Sequence, residues 1–152
     1  MERVGIKYGV LTAAGLIGYF VIMMLLGLTD VIELRFLNGV IMAIGVTLAI
    51  RAYKISVNGQ IAYLQGFGVG TITAVVATTL FAALMVLYIK IAGEGLVSTL
   101  STQRYLGERV MSTPGVVVFI VLMLEGVISG VMISFIAMQW FKRDEHKVPN
   151  SP

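Results

Sequence analysis

Four long apolar stretches constrain this chain more than any other feature of its sequence. They cover residues 8–28, 36–50, 61–89 and 114–141, and the only charge inside them is the carboxyl group of Glu125. About 20 predominantly apolar residues are enough for a helix to cross the hydrocarbon core of a membrane. A soluble domain carries about 25% charged residues, whereas only 12% of this chain is charged. The sequence therefore predicts an integral membrane protein.

The expected fold class is all-α: an integral membrane four-helix bundle made of two helical hairpins in a single domain over residues 1–141. The predicted helices cover residues 8–28, 36–55, 66–89 and 114–141.

The connections between the predicted helices differ in character. The dipeptide Asn58-Gly59 predicts a turn between the second and third helices. Loosely helical spacing of leucines over residues 96–110 predicts an amphipathic segment on the outer surface, and a polar linker is the alternative. Residues 142–152 are expected to form a mobile cytoplasmic tail.

Lysine and arginine near the helix ends indicate the orientation, because cytoplasmic loops carry an excess of these residues. One side of the membrane would hold seven of them and the other side four. The seven are Arg3, Lys7, Arg51, Lys54, Lys142, Arg143 and Lys147, and the four are Arg35, Lys90, Arg104 and Arg109. We therefore expect both termini in the cytoplasm.

Small residues recur every four positions along the predicted helices. Helices in lipid associate through close backbone approach and interhelical hydrogen bonds, so such stripes predict packing faces. The clearest stripe residues are Gly66, Gly70, Ala74, Thr78, Gly126 and Gly130. Self-association through one stripe is an alternative, but packing within the chain is favoured because four helices need several such faces.

Glu125 is the residue with the most unusual expected chemistry. It follows Pro114 by eleven residues, which places it about 16 Å along the fourth helix. A charge near mid-membrane costs on the order of 3 kcal/mol, so we expect its side chain to face the bundle interior. Ser129 lies one turn further along the same face. Three roles are open: a hydrogen-bonding clamp between helices, proton or cation handling, and contact with a partner subunit.

Arg51, Tyr53 and Lys54 form a basic edge with an aromatic anchor at the cytoplasmic end of the second helix. Ordinary anchoring of a cytoplasmic helix end explains this composition. Binding of anionic lipid or of a soluble partner is the alternative.

No catalytic or metal-binding set can be assembled from the sequence. The chain has no cysteine and a single histidine, which argues against thiolate and histidine metal sites. The net charge of +3 is small and dispersed, so nucleic acid is not an expected partner. We expect a protein without enzymatic activity, cofactor or metal, surrounded by the lipid bilayer and by other membrane subunits or a second copy.

The runs from Arg51 to Lys54 and from Asn58 to Gly70 resemble a bacterial family of small four-helix inner-membrane proteins. This family is frequent in Bacteroidetes-type bacteria and is known only as a domain of unknown function. Its pattern has a basic, aromatic end to the second helix, a glycine turn, and an aromatic start to the third helix. Glu125-Gly126 and Ser129-Gly130 correspond to an acid and small residues in its fourth helix. The resemblance implies a multi-pass protein of the bacterial inner membrane, without an assigned activity.

Two functions are compatible with these features. The first is an accessory or assembly subunit of a membrane complex. The alternative is a small proton- or cation-coupled transporter that acts as a homodimer through Glu125.

Overall fold

The computed structural model describes residues 1–27, 35–92 and 114–141, and this part of the chain is helical apart from short connections. The four helices are α1 (Glu2–Leu25), α2 (Arg35–Ser56), α3 (Tyr63–Ala92) and α4 (Pro114–Phe141). Each is long and apolar enough to span a membrane. The prediction of an all-α chain with four membrane-length helices is confirmed.

The helix bounds differ from the expected ones mainly at the ends. α1 begins at Glu2 rather than at residue 8, because charged residues in its first turns limit the apolar stretch without interrupting the helical backbone. α3 is also longer than expected and covers Tyr63–Ala92. The predicted amphipathic segment at 96–110 and the predicted tail at 142–152 lie outside the described residues.

The helices are arranged as a rhombus in which α3 packs against the other three. α2 also packs against all the others, so α1 and α4 occupy the two far corners. α1 runs parallel to α3, since Gly5 lies against Ile72 and Gly9 lies against Val76. α4 runs antiparallel to α3. We term the end of the bundle that contains Met1, the α2–α3 turn and Phe141 the turn end.

Small residues line the α3–α4 interface over four successive helical turns. Each of the four contacts includes at least one small residue. The contacts are Gly66 with Met138, Gly70 with Ser134, Ala74 with Gly130, and Thr78 with Gly126. A Cβ atom added at Gly126 would collide with Thr78, and one added at Gly130 would collide with Ala74. All six residues of the predicted stripe therefore lie in one interface within the chain, where the two backbones approach closely.

A second close contact joins α1 to α3. A Cβ atom at Gly5 would lie 2.8 Å from Cγ2 of Ile72, and one at Gly9 would lie 2.7 Å from Cβ of Val76. The hydroxyl group of Thr73 donates to the carbonyl oxygens of Val69 at 2.8 Å and of Gly5 at 3.2 Å. The spacing of these two glycines within α1 does not by itself predict this contact, because it has meaning only opposite α3.

The α2–α3 turn is built on Asn58 and Gly59. Both have a left-handed backbone, with φ values of 55° and 85°, a region that asparagine and glycine adopt more readily than other residues. The amide of Gly59 donates to the carbonyl oxygen of Lys54 at 2.9 Å. The turn predicted at this dipeptide is confirmed.

Candidate functional site

Glu125 lies on the outer surface of the bundle. Its side chain is exposed, and Ser129 one turn further along is half-buried. The expectation that Glu125 faces the bundle interior is therefore wrong. The interior positions of α4 are occupied instead by small residues against α3, which leave no room there for a long polar side chain.

α4 exposes more of its surface than α3 does. In the most apolar segment of α4 only 6% of the residues are buried, against 44% in α3. The exposed face that surrounds Glu125 consists of long apolar side chains, among them Ile128, Met132 and Ile136, which are 58%, 59% and 63% exposed. We term these three residues and Glu125 the α4 face. It combines a carboxyl group with an apolar surface that nothing in the described chain covers.

Threonine hydroxyl groups within the bundle donate hydrogen bonds to backbone carbonyl oxygens. Thr12 donates to the carbonyl oxygen of Tyr8, and Thr79 donates to that of Val75. Thr73 bridges α1 and α3, as described above. These bonds support the bundle itself.

Two buried polar oxygens lie at the depth of Glu125. Thr78 lies against Gly126, the residue after Glu125. Lys54 of α2 contacts Phe141 of α4 at the turn end. Asn38 lies as many residues before Lys54 as Glu125 lies before Phe141, so Asn38 and Glu125 lie at similar distances from the turn end. Within the described part of the chain, Oδ1 of Asn38 and Oγ1 of Thr78 are buried without a hydrogen-bond partner. The bundle therefore has a polar layer near the middle of α4.

The predicted basic edge separates into two parts at the turn end. Tyr53 is only 8% exposed and belongs to the core, where its hydroxyl group lies 3.5 Å from Oε1 of Gln65. Arg51 is exposed and Lys54 is half-buried. Arg51 therefore faces outward, Lys54 reaches α4, and Tyr53 stabilises the helix packing.

Arg51 and Lys54 line an open pocket of about 770 Å³ between the ends of α2 and α4. The other lining residues are Ile55, Asn58, Gly59, Trp140 and Phe141. Nζ of Lys54 donates to the carbonyl oxygen of Phe141 at 2.9 Å and lies 5.9 Å from the centroid of its ring. We term this site the turn-end pocket.

Individual residues of the turn-end pocket are recognisable in the sequence, but their proximity to one another is not. Arg51 and Lys54 are recognisable as a basic edge, and Trp140 as an aromatic residue suited to a membrane interface. The Lys54–Phe141 contact joins residues 87 positions apart, so only the packing of α2 against α4 brings them together.

Metal-binding chemistry has no candidate site in the described ranges. No group of three or more histidine, cysteine, aspartate or glutamate side chains there could hold a metal ion.

No protein-family model, curated protein or solved structure matches the chain. The resemblance to the bacterial four-helix family stays a prediction, and function is argued from the α4 face and the turn-end pocket.

Proposed function

We propose that this chain is a non-enzymatic, multi-pass subunit of a larger assembly in the bacterial inner membrane, and that its α4 face contacts another subunit. The observation that carries the proposal is the exposure of Glu125 near the middle of the least buried helix. The chain is then an accessory or assembly subunit rather than a catalyst.

Lipid is a poor neighbour for the α4 face. A charged side chain in the hydrocarbon costs on the order of 3 kcal/mol at the centre of a membrane, and Glu125 is exposed on this face. A transmembrane helix packed on the α4 face would shield the exposed carboxyl group from lipid, and the side chains of Ile128 and Met132 would pack against that helix. The occupant that fits is therefore a helix of another membrane protein.

A second copy of the chain is a less suitable occupant. A two-fold symmetric pair brings the same patch of both subunits together. Glu125 lies close to the middle of α4, so a symmetric α4–α4 contact centred on the α4 face would place two carboxyl groups next to each other. Those groups repel one another unless at least one is protonated.

Site-specific photo-crosslinking tests the proposed contact. A photoreactive amino acid replaces Met132 on α4 or, as the matched control, Leu11 on α1; the native side chains are 59% and 62% exposed. The complex is extracted in native membrane nanodiscs, and its composition is measured by native mass spectrometry. We expect Met132 to crosslink one protein that is present at fixed stoichiometry in the complex, and Leu11 to crosslink lipid.

Other crosslinking outcomes would contradict the subunit proposal. Adducts only between two copies of this chain would favour the homodimer. Adducts only with lipid from both positions would show that the bilayer covers the α4 face.

We propose that both termini, and with them the turn end, lie in the cytoplasm. The excess of lysine and arginine supports this orientation. A reporter that is active only in the cytoplasm should give signal when fused at Asn58 and none when fused at Ser101. The reverse pattern would invert the orientation, and signal at both positions would contradict a membrane span between them.

The homodimeric transporter remains a second candidate because of the polar layer near Glu125. The buried oxygens of Asn38 and Thr78 lie at the depth where a coupling proton or cation would be held. A transporter of this kind should show flux linked to a pH gradient after reconstitution into proteoliposomes. The Glu125 variants considered in the Discussion separate this candidate from the subunit proposal.

A further inference from the structure

We infer that the turn-end pocket binds the phosphodiester headgroup of an anionic phospholipid. The pocket combines cationic, aromatic and aliphatic side chains within one open cavity at an end of the helix bundle. This inference does not depend on the subunit proposal, because it is argued from the lining of the turn-end pocket, which contains none of the residues of the α4 face.

The side chains that line the pocket favour a negatively charged ligand. Arg51 and Lys54 contribute one positive charge each, and among the described lining residues no side chain is acidic. The C-terminal ends of α2 and α4 each contribute about half a negative charge. Two positively charged side chains in the described lining suit an anion such as the phosphodiester of a phospholipid headgroup.

The two cations have different roles. Lys54 is held between α2 and α4 by its bond to the carbonyl oxygen of Phe141, and it neutralises the negative end of α4. Arg51 is exposed at the opening, and a guanidinium group can bind two phosphate oxygens at once. Arg51 is therefore the principal phosphate ligand, and Lys54 positions the end of α4 and adds positive charge.

The apolar part of the pocket indicates a lipid rather than a free phosphate. Trp140 is 72% exposed and Ile55 is 69% exposed, and both line the pocket beside the cations. Tryptophan is enriched where the headgroups meet the hydrocarbon of a membrane. An acyl chain can contact these side chains while its phosphate stays at Arg51.

Trp140 is the single tryptophan of the chain, so its fluorescence reports directly on the pocket. The protein is reconstituted into vesicles of phosphatidylethanolamine with brominated phosphatidylglycerol, or with brominated phosphatidylcholine at the same mole fraction. Bromine atoms quench tryptophan on contact. We expect stronger quenching by the anionic lipid than by the zwitterionic one.

Substitution of Arg51 should remove most of this preference. Arg51→Gln is expected to lower the relative affinity for phosphatidylglycerol about fivefold, since one basic residue near a membrane surface contributes about that factor. Lys90→Gln is the matched control, because Lys90 is an exposed cation at the opposite end of α3, and it should leave quenching of Trp140 unchanged. Equal quenching by both lipids in the parent protein, or equal losses in both variants, would overturn the inference.

Two further experiments distinguish a defined lipid-binding pocket from nonspecific electrostatic attraction and from a site that binds free phosphate. Arg51→Lys keeps the positive charge but loses the planar guanidinium group, so it should lose part of the preference for phosphatidylglycerol. An unchanged preference would show that the lipid is attracted by charge without a defined site. Inorganic phosphate should not displace brominated phosphatidylglycerol. Displacement by phosphate at the concentration of the lipid would show that the pocket binds phosphate without regard to the acyl chains.

Discussion

Replacing Gly70 with Leu is expected to lower the free energy of unfolding by about 3 kcal/mol, because the larger side chain overpacks the centre of the bundle. Gly70 lies where three helices meet. A Cβ atom there would lie 2.9 Å from Cβ of Ser134 on α4 and 3.1 Å from Cδ1 of Ile50 on α2. Neither neighbour can move freely, since Ser134 and Ile50 are themselves fully buried. Denaturant titration in detergent micelles measures the loss.

The control for Gly70→Leu is Val75→Leu on the same helix, at a position that is 37% exposed. This change adds volume outside the bundle and should alter stability by less than about 0.5 kcal/mol. Val76 is unsuitable because it packs against Gly9 of α1. Equal losses at Gly70 and Val75 would contradict the close α3–α4 contact, and equal tolerance would place the small stripe of α3 against lipid.

The four helices and the α2–α3 turn could be predicted because they depend on short-range properties of the chain. Apolar length decides whether a helix can span a membrane, and the backbone preferences of Asn58 and Gly59 decide where the turn forms. The stripes of small residues could be predicted for a related reason. Residues four apart share one helix face, so Gly66 and Gly70 are recognisable as neighbours without knowledge of the partner helix.

The direction in which Glu125 points could not be predicted in the same way. Its neighbours Gly126 and Gly130 pack against α3, and the rotation of α4 that this packing requires turns Glu125 outward. The rule that intramembrane charges face the interior concerns a single helix and does not give the rotation of α4 against α3. For a comparable reason the sequence does not predict the turn-end pocket, because the pocket forms only where Lys54 contacts Phe141 across the bundle.

Glu125 variants are expected to affect association much more than folding. Because its side chain is exposed, Glu125→Ala should change the stability of the isolated chain by less than about 0.5 kcal/mol. Loss of a hydrogen bond to a charged group costs about 1.5–3 kcal/mol, so Glu125→Ala should weaken binding of the partner subunit at least about tenfold. Glu125→Gln keeps the shape and part of the hydrogen bonding, and a smaller loss is expected. Titration of the reconstituted complex with both variants measures these affinities.

The same two variants separate the three roles of Glu125. A clamp within the chain requires Ala to destabilise the isolated bundle by about 1–2 kcal/mol while Gln is tolerated. A proton-handling role requires Gln to fold normally and yet abolish flux linked to a pH gradient. Contact with a partner requires both variants to fold normally and the complex to weaken. Ile128→Ala is the matched control, since it truncates an exposed side chain of the same face without removing a charge. If Ile128→Ala weakens the complex as much as Glu125→Ala does, apolar packing rather than the carboxyl group holds the partner.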